Sequence, residues 1–326
     1  MISGIASALT AVVVCVAPLS AQTTAPPAEQ GLTPPGAGVY KLTVNVKPMD
    51  VFAYKTTSTI DGAVTMPGST QSMPVNVTMS FINKTIIDKV NPDGNYAVRY
   101  KVGAMKMTMN GVDFPVPKET GTMELKATMS KEGKVSNVQG LEALAGNGGM
   151  MSVDPATTVN SMIRNNVIFP PEGAKVGDVW TTEVPMPYDA SGKSVIKQTN
   201  TLTEVSTANG KTIATVLSTM EGPLTINLTQ PMPMSMTGTI KGTTTNRINL
   251  GTGQISDSNG NVDMQMKMQM PNPAGNGEQM NMDMSMNVAT KMTPVAANTP
   301  MEVAKPAPAK PAPAKPAPKK PVSTKK

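Results

Sequence analysis

The chain has 326 residues, with 28 Lys+Arg against 22 Asp+Glu, no His, one Cys and 28 Met. Without histidine it cannot build a Ser-His-Asp or Cys-His relay, a His-ligated metal site or an imidazole proton shuttle. At 3% aromatic and 15% charged residues it offers neither a stacking platform for nucleic acid nor a highly charged disordered domain.

In chain order, Ile5 to Leu19 is an apolar stretch followed by Ser20-Ala21-Gln22. It falls short of the ~20 residues that span a bilayer and reads as a secretory signal cut after Ala21. Leu19 is large for its place before the cut, and no Lys or Arg precedes the stretch. The expected location is secreted or periplasmic. Cys15 lies within the signal, so the mature chain is expected to fold without a disulfide. Residues 22–39, rich in Pro, Gly and Ala, read as a flexible linker.

The body then alternates in the manner of strands. Lys41 to Val46, Val75 to Phe81, Tyr96 to Met109, Gly121 to Met129, Thr212 to Met220 and Thr239 to Leu250 are rich in Thr, Val and Ile with period two. Between the strand-like segments stand Asp61-Gly62, Asp93-Gly94, Asn110-Gly111, Glu132-Gly133, Asn209-Gly210 and Asn259-Gly260, which read as hairpin turns because Gly and Asn tolerate positive φ. The helical candidates are Leu141 to Ala145 and Pro155 to Asn165, with Asp154 as cap and Pro155 at the first helical position. The flanks of this segment resemble each other. Met49-Asp50-Val51-Phe52 opens the first and Gly177-Asp178-Val179-Trp180 the second, each followed by a hairpin, a long strand and another hairpin. The organisation expected is a first β half (40–139), a connecting segment with a short helix (140–170), a second β half (171–293) and a disordered Lys/Pro/Ala tail (294–326). The fold class is all-β, with one or two short helices. The architecture expected is an internally duplicated, curved antiparallel sheet or half-open barrel.

Phe169-Pro170-Pro171-Glu172-Gly173 with Lys175-Val176-Gly177-Asp178-Val179-Trp180-Thr181, and the later Gly253-Gln254-Ile255, resemble elements of a family of secreted bacterial β-rich proteins without an assigned function. In architecture that family is similar to periplasmic lipoprotein and lipid carriers, whose half-open antiparallel barrel encloses an apolar cavity under a helix. The resemblance implies a fold and no catalytic residues.

Methionine is the unusual feature. Met105, Met107 and Met109, Met232, Met234 and Met236, Met264, Met266, Met268 and Met270, and Met280, Met282, Met284 and Met286 recur at every second residue. On strands this puts the thioethers on one face, and the segments around Pro271 to Gly277 would form a hairpin whose Met faces coincide. Three readings compete. The stripes fill a core; they line a cavity for an apolar ligand, because Met is flexible and polarizable; or they bind Cu(I) or Ag(I), which prefer soft thioethers. The candidate ligand-binding residues are Met105, Met107, Met109, Met264, Met266, Met268, Met270, Met280, Met282, Met284 and Met286.

Other motifs fail on inspection. Ser191-Gly192-Lys193-Ser194 ends like a phosphate loop, but Pro187 stands where the first Gly is required. Asp257, Asn259, Asn261 and Asp263 alternate like a calcium loop, but Val262 takes the Gly position and no Glu completes it. We expect no enzyme activity, no cofactor, no dedicated metal site and no specific nucleic-acid partner.

Seven of the 28 basic residues lie in 304–326, which leaves 21 against 22 acidic ones elsewhere. The body is therefore near neutral, and its high pI carries no nucleic-acid signal. The Lys/Pro/Ala tail favours an extended conformation of ~3.1 Å per residue and reads as a solvated spacer or as a tether to an anionic envelope polymer or membrane surface. The functional expectation is a non-enzymatic binding protein that carries a hydrophobic small molecule or lipid. The alternatives are Met-based Cu(I)/Ag(I) binding and a structural envelope role.

Overall fold

The computed structural model describes residues 38–66, 68, 70–114, 123–131, 135–140, 169–185, 195–208, 210–228, 234–271 and 279–301. Among them every regular element is a strand. These are β1 (Val51–Thr65), β2 (Ser72–Val90), β3 (Tyr96–Val102), β4 (Lys106–Met109), β5 (Val112–Phe114), β6 (Met123–Met129), β7 (Val135–Gln139), β8 (Val179–Pro185), β9 (Val195–Ala208), β10 (Lys211–Leu228), β11 (Met234–Asn249), β12 (Gln254–Pro271) and β13 (Gln279–Val295). The expected helix falls at 141–165, outside the described residues.

All ladders are antiparallel and form one sheet, in the order β7-β6-β3-β2-β1-β13-β12-β11-β10-β9-β8, with the β4–β5 hairpin continuing along β2. Each half is a meander, and the first strand of one pairs with the last strand of the other. This is the strand order of an up-and-down barrel with the β7–β8 ladder missing among the described residues. The sheet is strongly curved without being closed. Ile60 of β1 and Val77 of β2 share a core cluster with Ile196 of β9 and Leu224 of β10, although four ladder spacings, roughly 19 Å, would part β1 from β10 in a flat sheet.

The burial pattern of β1 shows why period two suits this sheet. Tyr54, Thr56, Ser58, Ile60 and Val64 are buried, while Lys55 and Asp61 on the opposite face are exposed. The outward face of β11–β13 carries Lys241, Asp263, Lys267, Asp283 and Lys291, so on these strands the described outward face lacks the apolar band that a membrane-spanning barrel presents to lipid.

Three sequence expectations are corrected. Lys41 to Val46 is no ladder strand; residues 38–50 form a strap across one end of the curved sheet. The Thr43 and Asn45 amides donate to the Leu250 and Gly251 carbonyls, whereas the Val44 amide between them donates to Lys131. Successive donors thus face two different walls, and no single neighbour supplies a ladder. Leu42 packs with Leu202 and Leu250, and Val44 and Val46 with Tyr96 and Val98. Asp61-Gly62 and Asn259-Gly260 are not turns but lie inside β1 and β12. At Gly62 the reason is close approach, since a Cβ there would come within 2.6 Å of the Ser285 carbonyl oxygen. Asn110-Gly111 does turn, with φ of 49° and 80°, as a two-residue hairpin requires.

The turns that open the two meanders use the same hydrogen bonds. In the first, the Lys47 amide donates to Asp50 Oδ2, the Asp50 amide to the Lys47 carbonyl, the Met49 amide to the Ile87 carbonyl, and the Ile87 amide to the Asp50 carbonyl. In the second, Lys175, Asp178, Gly177 and Leu202 repeat that pattern in the same roles. The shared geometry needs a left-handed residue at the third place, where Gly177 has φ 94° and Met49 φ 72°. Methionine bears a cost there of ~1–2 kcal/mol that glycine avoids, offset by glycine's greater unfolded entropy of about 0.4–1 kcal/mol. Met49, an exposed residue, should therefore accept Met49→Gly with a net stabilisation of about 0.5–1 kcal/mol. Urea unfolding checks this, and a destabilised variant would contradict the strain assigned to the turn.

Candidate functional site

The methionine stripes meet on the inner face. In the β12–β13 hairpin, Met264 stands opposite Met286, Met266 opposite Met284, Met268 opposite Met282 and Met270 opposite Met280. The ladder to β11 sets Met236 against Met268. From the other wall, Met107 of β4 pairs with Met79 of β2, and Met109 with Val77. Met107, Met264, Met266, Met268, Met270, Met282, Met284 and Met286 are buried in one cluster, and Met105, Met109 and Met280 are partly buried against it. All of the candidate residues thus lie in a common compartment with Ile60, Val64 and Leu224. Glycines occupy the facing positions next door, Gly62 opposite Met286 and Gly238 opposite Met266. A Cβ at Gly238 would overlap the Gln265 carbonyl oxygen, so the long thioethers alternate with residues that have no side chain.

Sequence reasoning missed a second feature. Following the inward positions up the strands, the apolar stripe is interrupted by a row of short polar residues in direct register. Ser58 pairs with Thr290, Thr290 with Gly260, Gly260 with Thr244, Thr244 with Ser218 and Ser218 with Asn200. Ser58, Thr290, Thr244, Ser218 and Asn200 are all buried. Ser58 Oγ and Thr290 Oγ1 are 2.9 Å apart. Ser218 donates to Asn200 Oδ1 at 2.6 Å, and Asn200 Nδ2 donates to Thr182 Oγ1 at 3.2 Å. The signal was present on β13, where the inward run of Met282, Met284, Met286 and Val288 ends at Thr290.

Beside this row, Asn83 Nδ2 donates to the Tyr100 hydroxyl at 3.2 Å, while Asn83 Oδ1 and Thr56 Oγ1 are buried without a partner. Burial pushes the Tyr100 phenol up to about 12, against a smaller downward pull from the Asn83 hydrogen bond. Burial likewise raises Tyr54, whose hydroxyl donates to Gln254 Oε1 at 2.9 Å. Among the described residues no Lys, Arg, Asp or Glu is buried, so the described interior offers dipoles and thioethers but no charge.

A concavity of about 530 Å³ lies across β1, β2, β11, β12 and β13. It is lined mainly by outward-facing Thr65, Thr237, Gln265, Lys267, Asp283 and Ser285, and Met266 and Met284 also border it. Among the described residues no group of three or more His, Cys, Asp or Glu could hold a metal ion, and no helix is long and apolar enough to cross a membrane.

From residue 302 on the tail lies outside the described residues, but its first part is described: Pro294 and Val295 belong to β13, so the segment expected as tail from 294 begins as strand. After β13, Lys84 Nζ donates to the Ala297 carbonyl at 2.7 Å. The Ala104 amide then donates to Met301 at 3.0 Å, beside the irregularity where β3 gives way to β4.

No family profile matches the chain, and no curated sequence matches it. The resemblance to a secreted bacterial family therefore rests on its motif alone. Among solved structures, the chain is similar to lipovitellin, studied for lipid–protein interactions, at TM-score 0.43 and 11% identity over 77% of this chain and 26% of that one. It spans about a quarter of that protein's length. It is also similar to the Pseudomonas aeruginosa protein OccK2 (TM-score 0.24, 7% identity, 76% and 98% covered). Salmonella typhi OmpF, solved with daunomycin, is comparable (TM-score 0.23, 8% identity, 77% and 100% covered). At these values the likeness extends to a β-rich fold and no further.

Two outcomes test the site's construction. Met268, fully buried, should lose about 2–5 kcal/mol on Met268→Ala, whereas the partly buried Met280 should lose clearly less; equal losses would show that the compartment is not packed as described. The folded state keeps the Tyr100 proton that an unfolded phenol releases near 10.0. Stability should therefore fall as pH rises from about 10 to about 12, and the fall should be shallower in Tyr100→Phe.

Proposed function

We propose that the protein is a non-enzymatic carrier of a hydrophobic molecule, held in the methionine compartment of the half-open sheet. The observation that carries this reading is the convergence of paired thioethers from β4, β12 and β13 on one uncharged interior. Unbranched side chains with three rotatable bonds and a polarizable sulfur adapt to ligands of varied shape, where a core of β-branched residues would not. The polar exterior keeps such a carrier in water, and among the described residues no ladder joins β7 to β8, which leaves the described sheet open along one side. Secretion by the N-terminal signal and attraction of the Lys/Pro/Ala tail to an anionic envelope polymer or membrane surface complete the proposal.

Cu(I) or Ag(I) binding finds less support. A cation inside the compartment would meet no carboxylate among the described buried residues, and an uncompensated buried charge is expensive.

The test is native mass spectrometry of residues 22–326, purified gently from a bacterial periplasm after growth with trace copper. An adduct of lipid mass is expected, and it should survive in the Met266→Leu/Met284→Leu variant, which conserves volume. Discrete copper or silver increments that disappear in that variant would move the site to soft-metal binding. A bare mass under every gentle condition would reject both.

A further inference from the structure

The interior is not uniformly apolar, and its polar part is incompletely satisfied. Asn83 and Thr56 lie on adjoining strands and on the same face, two residue pairs apart in the ladder, since Tyr54 faces Asn83 and Thr56 faces Phe81. Both are buried, at 3% and 5% exposure. Turning the Asn83 amide does not remove the problem. One of its two polar atoms reaches the Tyr100 hydroxyl, and the other is left over whichever way it is assigned. A buried polar atom without a protein partner costs about 1–3 kcal/mol, and two of them on one face of neighbouring strands are close enough for a single bound polar group to satisfy both.

We infer that Thr56, Asn83 and Tyr100 form the head-group subsite of the carrier, and that its ligand is an uncharged amphiphile bearing a hydroxyl or amide. This inference rests on the carrier reading and narrows it. The Asn83 carbonyl oxygen accepts a hydrogen bond from the ligand's O–H or N–H. The Thr56 and Tyr100 hydroxyls are free to donate to its oxygen, because the one hydrogen bond of Tyr100 is accepted from Asn83. The apolar part of the ligand then extends past Ser58 and Ile60 along β1 into the methionine compartment. Charge decides the class. Among the described residues no buried Lys or Arg is present to neutralise a carboxylate or phosphate, and no buried Asp or Glu to neutralise an amine. An ion brought to this depth would stay unpaired. The raised pKa of Tyr100 agrees, since its phenol stays neutral and able to donate. Fatty acids and phospholipid head groups are therefore disfavoured, and long-chain alcohols, monoacylglycerols or fatty amides fit.

The experiment measures binding of four probes to the full mature chain at neutral pH: oleyl alcohol, 1-monooleoylglycerol, oleate and hexadecane. The two neutral hydroxyl probes should bind about ten-fold more tightly than hexadecane, the scale of one or two buried hydrogen bonds, and more tightly than oleate. In Thr56→Val/Asn83→Leu the alcohol's advantage over hexadecane should vanish while hexadecane still binds. Thr56→Val alone, which removes an unpartnered hydroxyl at nearly constant shape, should leave the ligand-free protein at least as heat-stable as the parent, so that lost discrimination cannot be blamed on unfolding. Equal binding of alcohol and hexadecane to the parent would overturn the subsite and leave the carrier reading standing, with ordered water as the partner of these atoms. Tightest binding of oleate would overturn the neutral class, and binding of none of the four would overturn both.

Discussion

The ladder between β1 and β13 is the constraint on which the rest of the sheet depends. It joins the first strand of one meander to the last strand of the other over thirteen consecutive residue pairs, from Ala53 opposite Val295 to Thr65 opposite Asp283. Side chains on a strand alternate with period two, so this register decides which face the methionines take. As formed, Ile60 and Val64 share a face with Val288 and Met284, while Asp61 meets Asn287 on the other. A slip of one residue would turn Met282, Met284 and Met286 toward water and bring Asp283 and Asn287 inside. The neighbouring ladders inherit the choice. Gly62 opposite Met286 and Gly238 opposite Met266 reinforce it, because each accepts a facing thioether where a larger residue would collide.

The same register produces a layered interior. Below lies the methionine compartment, above it the row from Ser58 to Asn200, and above that the clusters around Val44 and Phe169, where Phe169 meets Trp180 with ring centroids 5.4 Å apart. A buried row of hydroxyls and amides contributes little to stability, since each hydrogen bond replaces one to water. What it adds is position: Ser218 with Asn200, and Ser58 with Thr290, hold adjacent strands in one register. An all-methionine interior, made of the most adaptable apolar side chain, would specify that register poorly.

Much of this was legible in the sequence for a simple reason. Period two with Thr, Val, Ile and Met has no competing helical pattern, and the inward face of a half-buried sheet must be the apolar one, so the all-β class and the pairing of the two long Met stripes follow from alternation alone. What escaped has equally physical causes. Asp61-Gly62 and Asn259-Gly260 carry turn chemistry, but there the glycine serves close strand approach, which depends on a partner distant in sequence. The strap at 38–50 alternates like a strand because Leu42, Val44 and Val46 turn inward while Lys41, Thr43, Asn45 and Lys47 stay exposed, but its amides divide between two walls and serve neither continuously. The β1–β13 ladder has no local signature at all, since its two strands stand at opposite ends of the body. The polar row was visible at every inward Ser, Thr and Asn, but only after the registers placed those residues side by side.

The two ends of the molecule are held by different forces. The edge strands β7 and β8 have five and seven residues, against 15 and 19 in β1 and β2; short edges expose few unpaired backbone groups to other chains. At the strap end the gap between these edges is bridged by main-chain hydrogen bonds. Tyr40 pairs with Ala174 just before β8, and Val44 donates to Lys131 just after β6. At the methionine end no such bridge crosses among the described residues, and the walls meet through side chains. Hydrogen bonds of fixed length hold one end to a single separation, while dispersion between flexible thioethers changes little over small displacements. The strap therefore fixes the curvature at its own end, and any change in the spacing between the walls falls on the end where the methionines are.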